Sequence, residues 1–250
     1  ITFLPSVLFD LITLVRNKLF DWGILASSSF DKPRIICVGN LAVGGTGKSP
    51  LVSYLVQNWR GDDRLGILSR GYGRKTKGYI DVKVDSTAEE VGDEPLAYKT
   101  LFPELPVVVC ENRVKGVQQM PAVDVLFLDD AFQHRSIKGS VNLVCSTFSQ
   151  PFYTDSMLPQ GRLRESAKGI KRADAVIVTR CPSILTKEQK SNFAQGVLRN
   201  TKEEKPIFYT SVRYGKPQGP REYLPSKWSL FAGIADPKPF FTHASSLGQI

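Results

Sequence analysis

At 250 residues, 42% hydrophobic and 23% charged, the chain has the make-up of a soluble globular protein, with room for one large domain or a domain plus a small lobe. A net charge of +9 points to an anionic partner, whether nucleotide, phosphorylated substrate, nucleic acid or acidic membrane surface. The four cysteines, Cys37, Cys110, Cys145 and Cys181, form no Cys-x-x-Cys pair, which excludes a disulfide framework or a cysteine metal site and suits reduced core residues of a cytosolic protein.

The chain opens on Ile1 rather than Met, as a trimmed start or a fragment would. Residues 3 to 20 place Leu4, Val7, Leu8, Leu11, Leu14, Val15 and Leu19 at helical spacing. Asp10, Arg16 and Asn17 interrupt the run, so it is too short to span a bilayer, and its charges follow the apolar part instead of preceding it as in a signal peptide. Two readings stay open: a helix packed on the core, or an amphipathic helix lying in a membrane interface.

The apolar run Arg34 to Val38 leads into Gly39-Asn40-Leu41-Ala42-Val43-Gly44-Gly45-Thr46-Gly47-Lys48-Ser49-Pro50. This is a strand, a phosphate loop and a helix start. Loop N–H groups can surround a polyphosphate, Lys48 can reach its outer phosphates, and the Ser49 hydroxyl can ligate Mg²⁺. Ala42 stands where the strict pattern has its first Gly. The candidate nucleotide-binding residues are Ala42, Val43, Gly44, Gly45, Thr46, Gly47, Lys48 and Ser49.

A helix from Pro50 to Arg60 and a strand from Leu65 to Leu68 follow, then Ser69-Arg70-Gly71-Tyr72-Gly73-Arg74. That segment is either a loop approaching a ligand closely or a solvated basic turn. Gly92-Asp93-Glu94-Pro95 opens a helix to about Phe102; Asp93 is a simple N-cap, or a carboxylate placed to take a proton from a substrate hydroxyl. A strand from Pro106 to Cys110 precedes a helix ending near Gln119. Val123 to Leu128 then runs into Asp129-Asp130, either a turn or the acid-tipped strand that holds Mg²⁺ beside a phosphate loop. Ala131 to Arg135 continue past that strand end.

Further strands are expected at Val141 to Cys145, Asp174 to Thr179 and Pro206 to Val212, with a helix from Thr186 to about Asn200. Leu158 to Glu165 reads as an irregular charged loop. Gly215, Pro217, Gly219 and Pro220 mark a turn or hinge, and Trp228 to Ile234 and Pro237 to Leu247 one more strand and helix. The fold class is α/β: a P-loop NTPase-like, doubly wound, mostly parallel sheet flanked by helices, with an N-terminal amphipathic helix and a small C-terminal lobe. The expected divisions are 1–25, 26–213 and 214–250.

Guanine-selective members of this fold carry Asn-Lys-x-Asp after a late strand, where this chain has Thr179-Arg180-Cys181-Pro182. Partitioning ATPases carry a second Lys where this chain has Val43. No nucleic-acid partner is expected, since the aromatics are not interleaved with the basic residues.

Asn40 to Pro50, Ser69 to Arg74, Gly92 to Pro95, Asp129 to Arg135, Leu158 to Glu165 and Gly233 to Pro237 together resemble, in matching order, tetraacyldisaccharide 4'-kinase, the lipid A 4'-kinase of Gram-negative bacteria. The resemblance implies ATP-dependent phosphorylation of the 4'-hydroxyl of a tetraacyl disaccharide 1-phosphate, with ATP and Mg²⁺. It implies that Asp93, Lys48 and Asp130 are catalytic and that Ser49, Asp129, Asp130 and Glu165 surround the metal. It assigns Arg70, Tyr72, Glu94, Arg113, Gln133, His134 and Arg164 to the substrate or the transferring phosphoryl group. It also implies a glycolipid partner, peripheral membrane association through residues 1–25, and a place at the cytoplasmic face of the bacterial inner membrane. The family has a late Asp-His-His segment, and the sequence reaches Ile250 without one, so the resemblance implies a chain that continues past Ile250. The alternative is a membrane-associated P-loop ATPase acting as a nucleotide switch for a protein partner.

Overall fold

The computed structural model describes residues 3–215, 229–232 and 237–247. The chain divides into two compact units, Ile1–Thr210 and Ser211–Ile250. The strands of the first unit are β1 (Arg34–Asn40), β2 (Leu65–Ser69), β3 (Ile80–Asp81), β4 (Val107–Val109), β5 (Val125–Asp129), β6 (Val141–Thr147), β7 (Ala175–Thr179) and β8 (Ile207–Tyr209). They form one sheet in the order β3-β4-β2-β5-β1-β6-β7-β8, parallel throughout except where β3 runs against β4. The expected doubly wound α/β architecture is therefore present.

Its helices are α1 (Phe3–Asp21), α2 (Lys48–Gln57), α3 (Ala88–Val91), α4 (Asp93–Leu101), α5 (Arg113–Gln119) and α6 (Lys187–Thr201). All residues of β5 and β7 are buried, because both faces of the sheet are covered and neither face leaves room for a polar alternation. Leu126 and Leu128 belong to one large core cluster that also takes in Val117 of α5 and Phe193 and Val197 of α6. Their neighbours Val125 and Phe127 pack on the opposite side with Leu51 and Val52 of α2 and Tyr98 of α4.

One short strand and one short α-helix escaped the sequence reading, as did the 3-10 turns Phe152–Thr154 and Ala167–Arg172. β3 has only two residues and no apolar run to announce it. α3 is a single turn held by a capping box in which Thr87 and Glu90 satisfy one another's backbone N–H groups.

Helix α1 reverses the usual burial. Ser6 and Thr13 are its buried residues, while Phe3, Leu4, Val7, Leu8, Leu11, Ile12, Leu14 and Val15 are each 48–76% exposed. Polar contacts join it to the unit: Gln160 N–H donates to Ser6 Oγ (3.0 Å), and Asn17 Nδ2 donates to Glu165 Oε2 (2.9 Å). Arg135 donates to Asn17 O (2.6 Å) and to Asp21 Oδ1 (2.8 Å). The reading of α1 as a helix packed on the core by its apolar face is thus overturned. No helix among the described residues is long and apolar enough to cross a membrane.

In the second unit, α7 (Lys238–Ser245) falls within the helix expected from Pro237 to Leu247, and Tyr214 stacks on His243 with centroids 4.4 Å apart. Of the strand expected at Trp228 to Ile234, residues 229–232 carry no regular structure and the remainder lies outside the described residues, as do Pro217, Gly219 and Pro220 and the motif residues Gly233 to Asp236.

Candidate active site

Parallel strands point their C-terminal ends the same way, and β1, inside the sheet, delivers the phosphate loop at that end. Pairing of Val38 with Asp129 sets the end of β5 beside the root of that loop. The loop is braced from within and from both flanks. Asn40 Nδ2 donates to Thr46 Oγ1 (2.8 Å), and Thr179 Oγ1, at the end of β7, donates to Thr46 O (2.8 Å). Val43 N–H donates to Arg162 O and Arg164 N–H to Leu41 O, both at 2.8 Å, so the charged loop Leu158 to Glu165 lies alongside the phosphate loop. Gly47, at φ 82°, turns the chain into α2 in a conformation that only glycine takes easily.

Lys48 is buried, with Nζ 3.5 Å from Asp130 Oδ1. Arg164 Nη1 donates to both oxygens of Asp130, at 3.1 and 3.0 Å. These two cations hold the Asp130 carboxyl below its ordinary range despite the opposing effect of burial. Asp129 is the reverse. It is fully buried beside Asp130 and Glu94, and burial above all pushes its carboxyl up to about 7.

Two residues of α4, four apart and so on one face, complete this group. Glu94 Oε1 accepts from Ser49 Oγ (2.6 Å), and the Tyr98 hydroxyl donates to Asp129 Oδ2 (3.1 Å). Tyr98 was missed in the sequence reading; its i,i+4 spacing from Glu94 is the signal that could have found it. Asp129 Oδ1 is buried without a hydrogen-bond partner. A carboxylate so desolvated and incompletely paired suits a cation next to the Ser49 hydroxyl, and in that respect the residues fit a divalent metal. Among the described residues no three His, Cys, Asp or Glu side chains cluster at metal-binding distance.

Glu165, expected in the metal shell, has its oxygens on other partners in the structure. Its Oε1 accepts from Gln133 Nε2 (3.1 Å) and pairs with Arg172 (2.8 Å), while its Oε2 accepts from Asn17. With both oxygens engaged in the protein and the side chain buried, it ties α1 to the segment after β5. Gln133 also donates to Asn40 O (2.6 Å), which links the same network to the phosphate loop.

Of the remaining candidates, Arg70 and Arg113 are neighbouring cations, with His134 close to both. Arg113 is buried, donates to Cys110 O (3.1 Å) and Glu111 O (3.3 Å), and has its Nε unpartnered. Burial, then the neighbouring Arg70, lower its guanidinium to about 10. Burial, then Arg113, Arg70 and Arg16, push the His134 imidazole down to about 4. Arg70 is exposed and Tyr72 is 86% exposed. Their loop is placed by backbone contact: Gly92 has φ 93°, and a β-carbon there would lie 2.9 Å from Tyr72 O and 3.2 Å from Gly71 Cα. Asp93 follows directly, exposed at the start of α4.

The family model described as LpxK, tetraacyldisaccharide-1-P 4'-kinase, matches residues 2–249. This chain belongs to the LpxK family. Among curated relatives, the tetraacyldisaccharide 4'-kinase of Flavobacterium psychrophilum is 37% identical over 96% of this chain and 73% of its own length. That of Flavobacterium johnsoniae is 40% identical over 95% and 72%, and that of Bacteroides thetaiotaomicron 41% identical over 85% and 57%. The chain thus spans roughly half to three quarters of these relatives. LpxK from Aquifex aeolicus, in a crystal structure titled an "apo" form in complex with ATP, superposes with a TM-score of 0.65 at 31% identity, covering 88% of this chain and 84% of that one. LpxK membership makes the phosphate loop part of a kinase and removes the reason to read the chain as a nucleotide switch.

Proposed function

We propose that this chain transfers the γ-phosphoryl group of ATP to the 4'-hydroxyl of a tetraacyl disaccharide 1-phosphate, a lipid A precursor. The reading is carried by the convergence of Lys48, Ser49, Asp129 and Asp130 past the C-terminal ends of β1 and β5 in a chain of the LpxK family. The loop N–H groups and the N-terminus of α2 receive the phosphates, and Lys48 exchanges Asp130 for their outer oxygens. Ser49 and Asp129, with Asp130 beside them, would hold Mg²⁺, which when bound neutralises charge on the transferring group. Asp93 takes the proton from the 4'-hydroxyl as its oxygen bonds to phosphorus and ADP leaves. Arg70 and Arg113 make the region positive, which suits the acceptor's phosphate; Tyr72 is free to contact the sugar, and His134 stays neutral as a hydrogen-bonding group. Arg164 orients Asp130, and Gln133 positions the loop through Asn40.

Peripheral association with the cytoplasmic face of the bacterial inner membrane, through residues 1–25, is part of the proposal. It is supported by the outward apolar face of α1, since each large aliphatic side chain moved out of water contributes roughly 1.5–3 kcal/mol. The test is acceptor-dependent phosphorylation by the full-length protein with ATP and Mg²⁺, wild type against Asp93→Asn. The variant should keep nucleotide affinity and lose transfer. A wild-type protein that hydrolyses ATP yet never phosphorylates the disaccharide would sink the reading.

A further inference from the structure

Arg180 lies beside the phosphate loop and has no role in the proposal above. Thr179, the last residue of β7, holds the loop through its hydrogen bond to Thr46 O. Arg180 follows with φ 55°, a left-handed conformation that side-chain-bearing residues seldom adopt. It sits close over the loop: a β-carbon built on Gly45 would lie 3.2 Å from Arg180 Nη2. Arg180 is exposed, and among the described residues its guanidinium has no hydrogen bond or ion pair. Lys48 and Arg164, by contrast, are both engaged by Asp130.

The strand order decides which end of a nucleotide Arg180 meets. Asp129 and Asp130 follow β5 on one side of β1, whereas β6 and β7 lie on the other. A nucleotide with its phosphates on the loop and its terminal phosphate toward the β5 carboxylates extends its nucleoside toward β6 and β7, where Arg180 stands. A planar guanidinium can stack on a purine and keep its charge near the phosphates, which an ammonium cannot do.

We propose that Arg180 is a nucleotide-binding residue whose guanidinium packs on the nucleoside of ATP and closes the loop from the β7 side. A stacked guanidinium does not read the edges of the base, so it strengthens adenine and guanine nucleotides alike. It acts on the part of the nucleotide common to ATP and ADP, and therefore on affinity rather than on the chemical step. The inference rests on the phosphate loop being the ATP site.

The test is calorimetric binding of ATP, ADP and GTP to wild type, Arg180→Gly and Arg180→Lys, with steady-state transfer measured in parallel. Glycine accepts φ 55° without strain, so this variant removes the side chain and leaves the backbone its conformation. Arg180→Gly should weaken all three nucleotides about tenfold and raise the KM for ATP similarly, with kcat and the acceptor KM within about twofold. Arg180→Lys should recover only part of the loss. Unchanged nucleotide binding in Arg180→Gly, a loss confined to ATP, or full recovery with lysine would each overturn the assignment. A wild type that binds no ATP would overturn instead the site on which it rests.

Discussion

Asn17 of α1 donates its side-chain amide to Glu165, a buried carboxylate that also accepts from Gln133 next to the phosphate loop. The helix with the outward apolar face is therefore joined to the loop by consecutive hydrogen bonds from Asn17 to Glu165 to Gln133 to Asn40 O. Asn17→Asp sets two carboxylates against each other in a partly buried site, where water screens them poorly. Thermal unfolding should register a loss on the order of 2–3 kcal/mol. Adding Glu165→Gln exchanges donor and acceptor and should restore part of it; a double variant no better than Asn17→Asp would show that this bond is not what holds α1.

Acid stability follows from His134. Its folded-state value of about 4 lies below the ordinary 6.5, so between these values the unfolded chain binds the proton more readily. Stability is whole above about pH 6.5 and falls as the pH drops toward 4. For a half-buried group this amounts to roughly 1–2 kcal/mol. Denaturant titrations across that window should show a shallower slope for His134→Gln, and an unaltered slope would assign the acid sensitivity to other groups.

Gly92 connects α3 to α4 with φ 93° and with the backbone of Tyr72 against its α-carbon. Alanine there is strained by its dihedral and meets a carbonyl oxygen at 2.9 Å. Gly92→Ala should lower stability by about 1–3 kcal/mol and, by displacing Asp93 and the loop at Arg70, reduce kcat more than ATP affinity. Equal losses in both would mean that the whole site moves together.

Tyr98→Phe removes the hydroxyl that donates to Asp129 while leaving the ring in the core. Partners that orient a metal-binding carboxylate typically matter 10–100-fold for metal affinity or activity. The variant should need about tenfold more Mg²⁺ for half-maximal activity, with its Tm little altered. An unshifted Mg²⁺ titration would confine Tyr98 to packing.

The apolar residues of α1 that face outward contribute little to the fold. Leu8→Ser combined with Leu11→Ser should alter the unfolding free energy by less than about 1 kcal/mol while sedimentation with anionic liposomes falls severalfold. Loss of stability with unchanged liposome binding would reverse the roles assigned to this face.

Much of this architecture was legible in the chain. β1, β5 and β7 each carry an unbroken apolar run because they lie inside the sheet, and such runs stand out among polar connections. Lys48, Ser49, Asp129 and Asp130 were legible because a phosphate loop and an acid-tipped strand use fixed local spacings. Glu165 and Tyr98 were not. Glu165 looks like a metal ligand when it is read within its own loop, yet Asn17, Gln133 and Arg172 occupy its oxygens from distant parts of the chain.

By itself, then, the sequence determined the class of fold, the position of the phosphate loop and the kind of chemistry expected there, since each depends on neighbours within about a dozen residues. Only the tertiary structure decided which carboxylates stand together, that α1 turns its leucines outward, and that Arg180 lies over Gly45. These depend on strand order and on which buried polar groups find partners, and strands brought together by crossovers leave no trace of that order in local spacing.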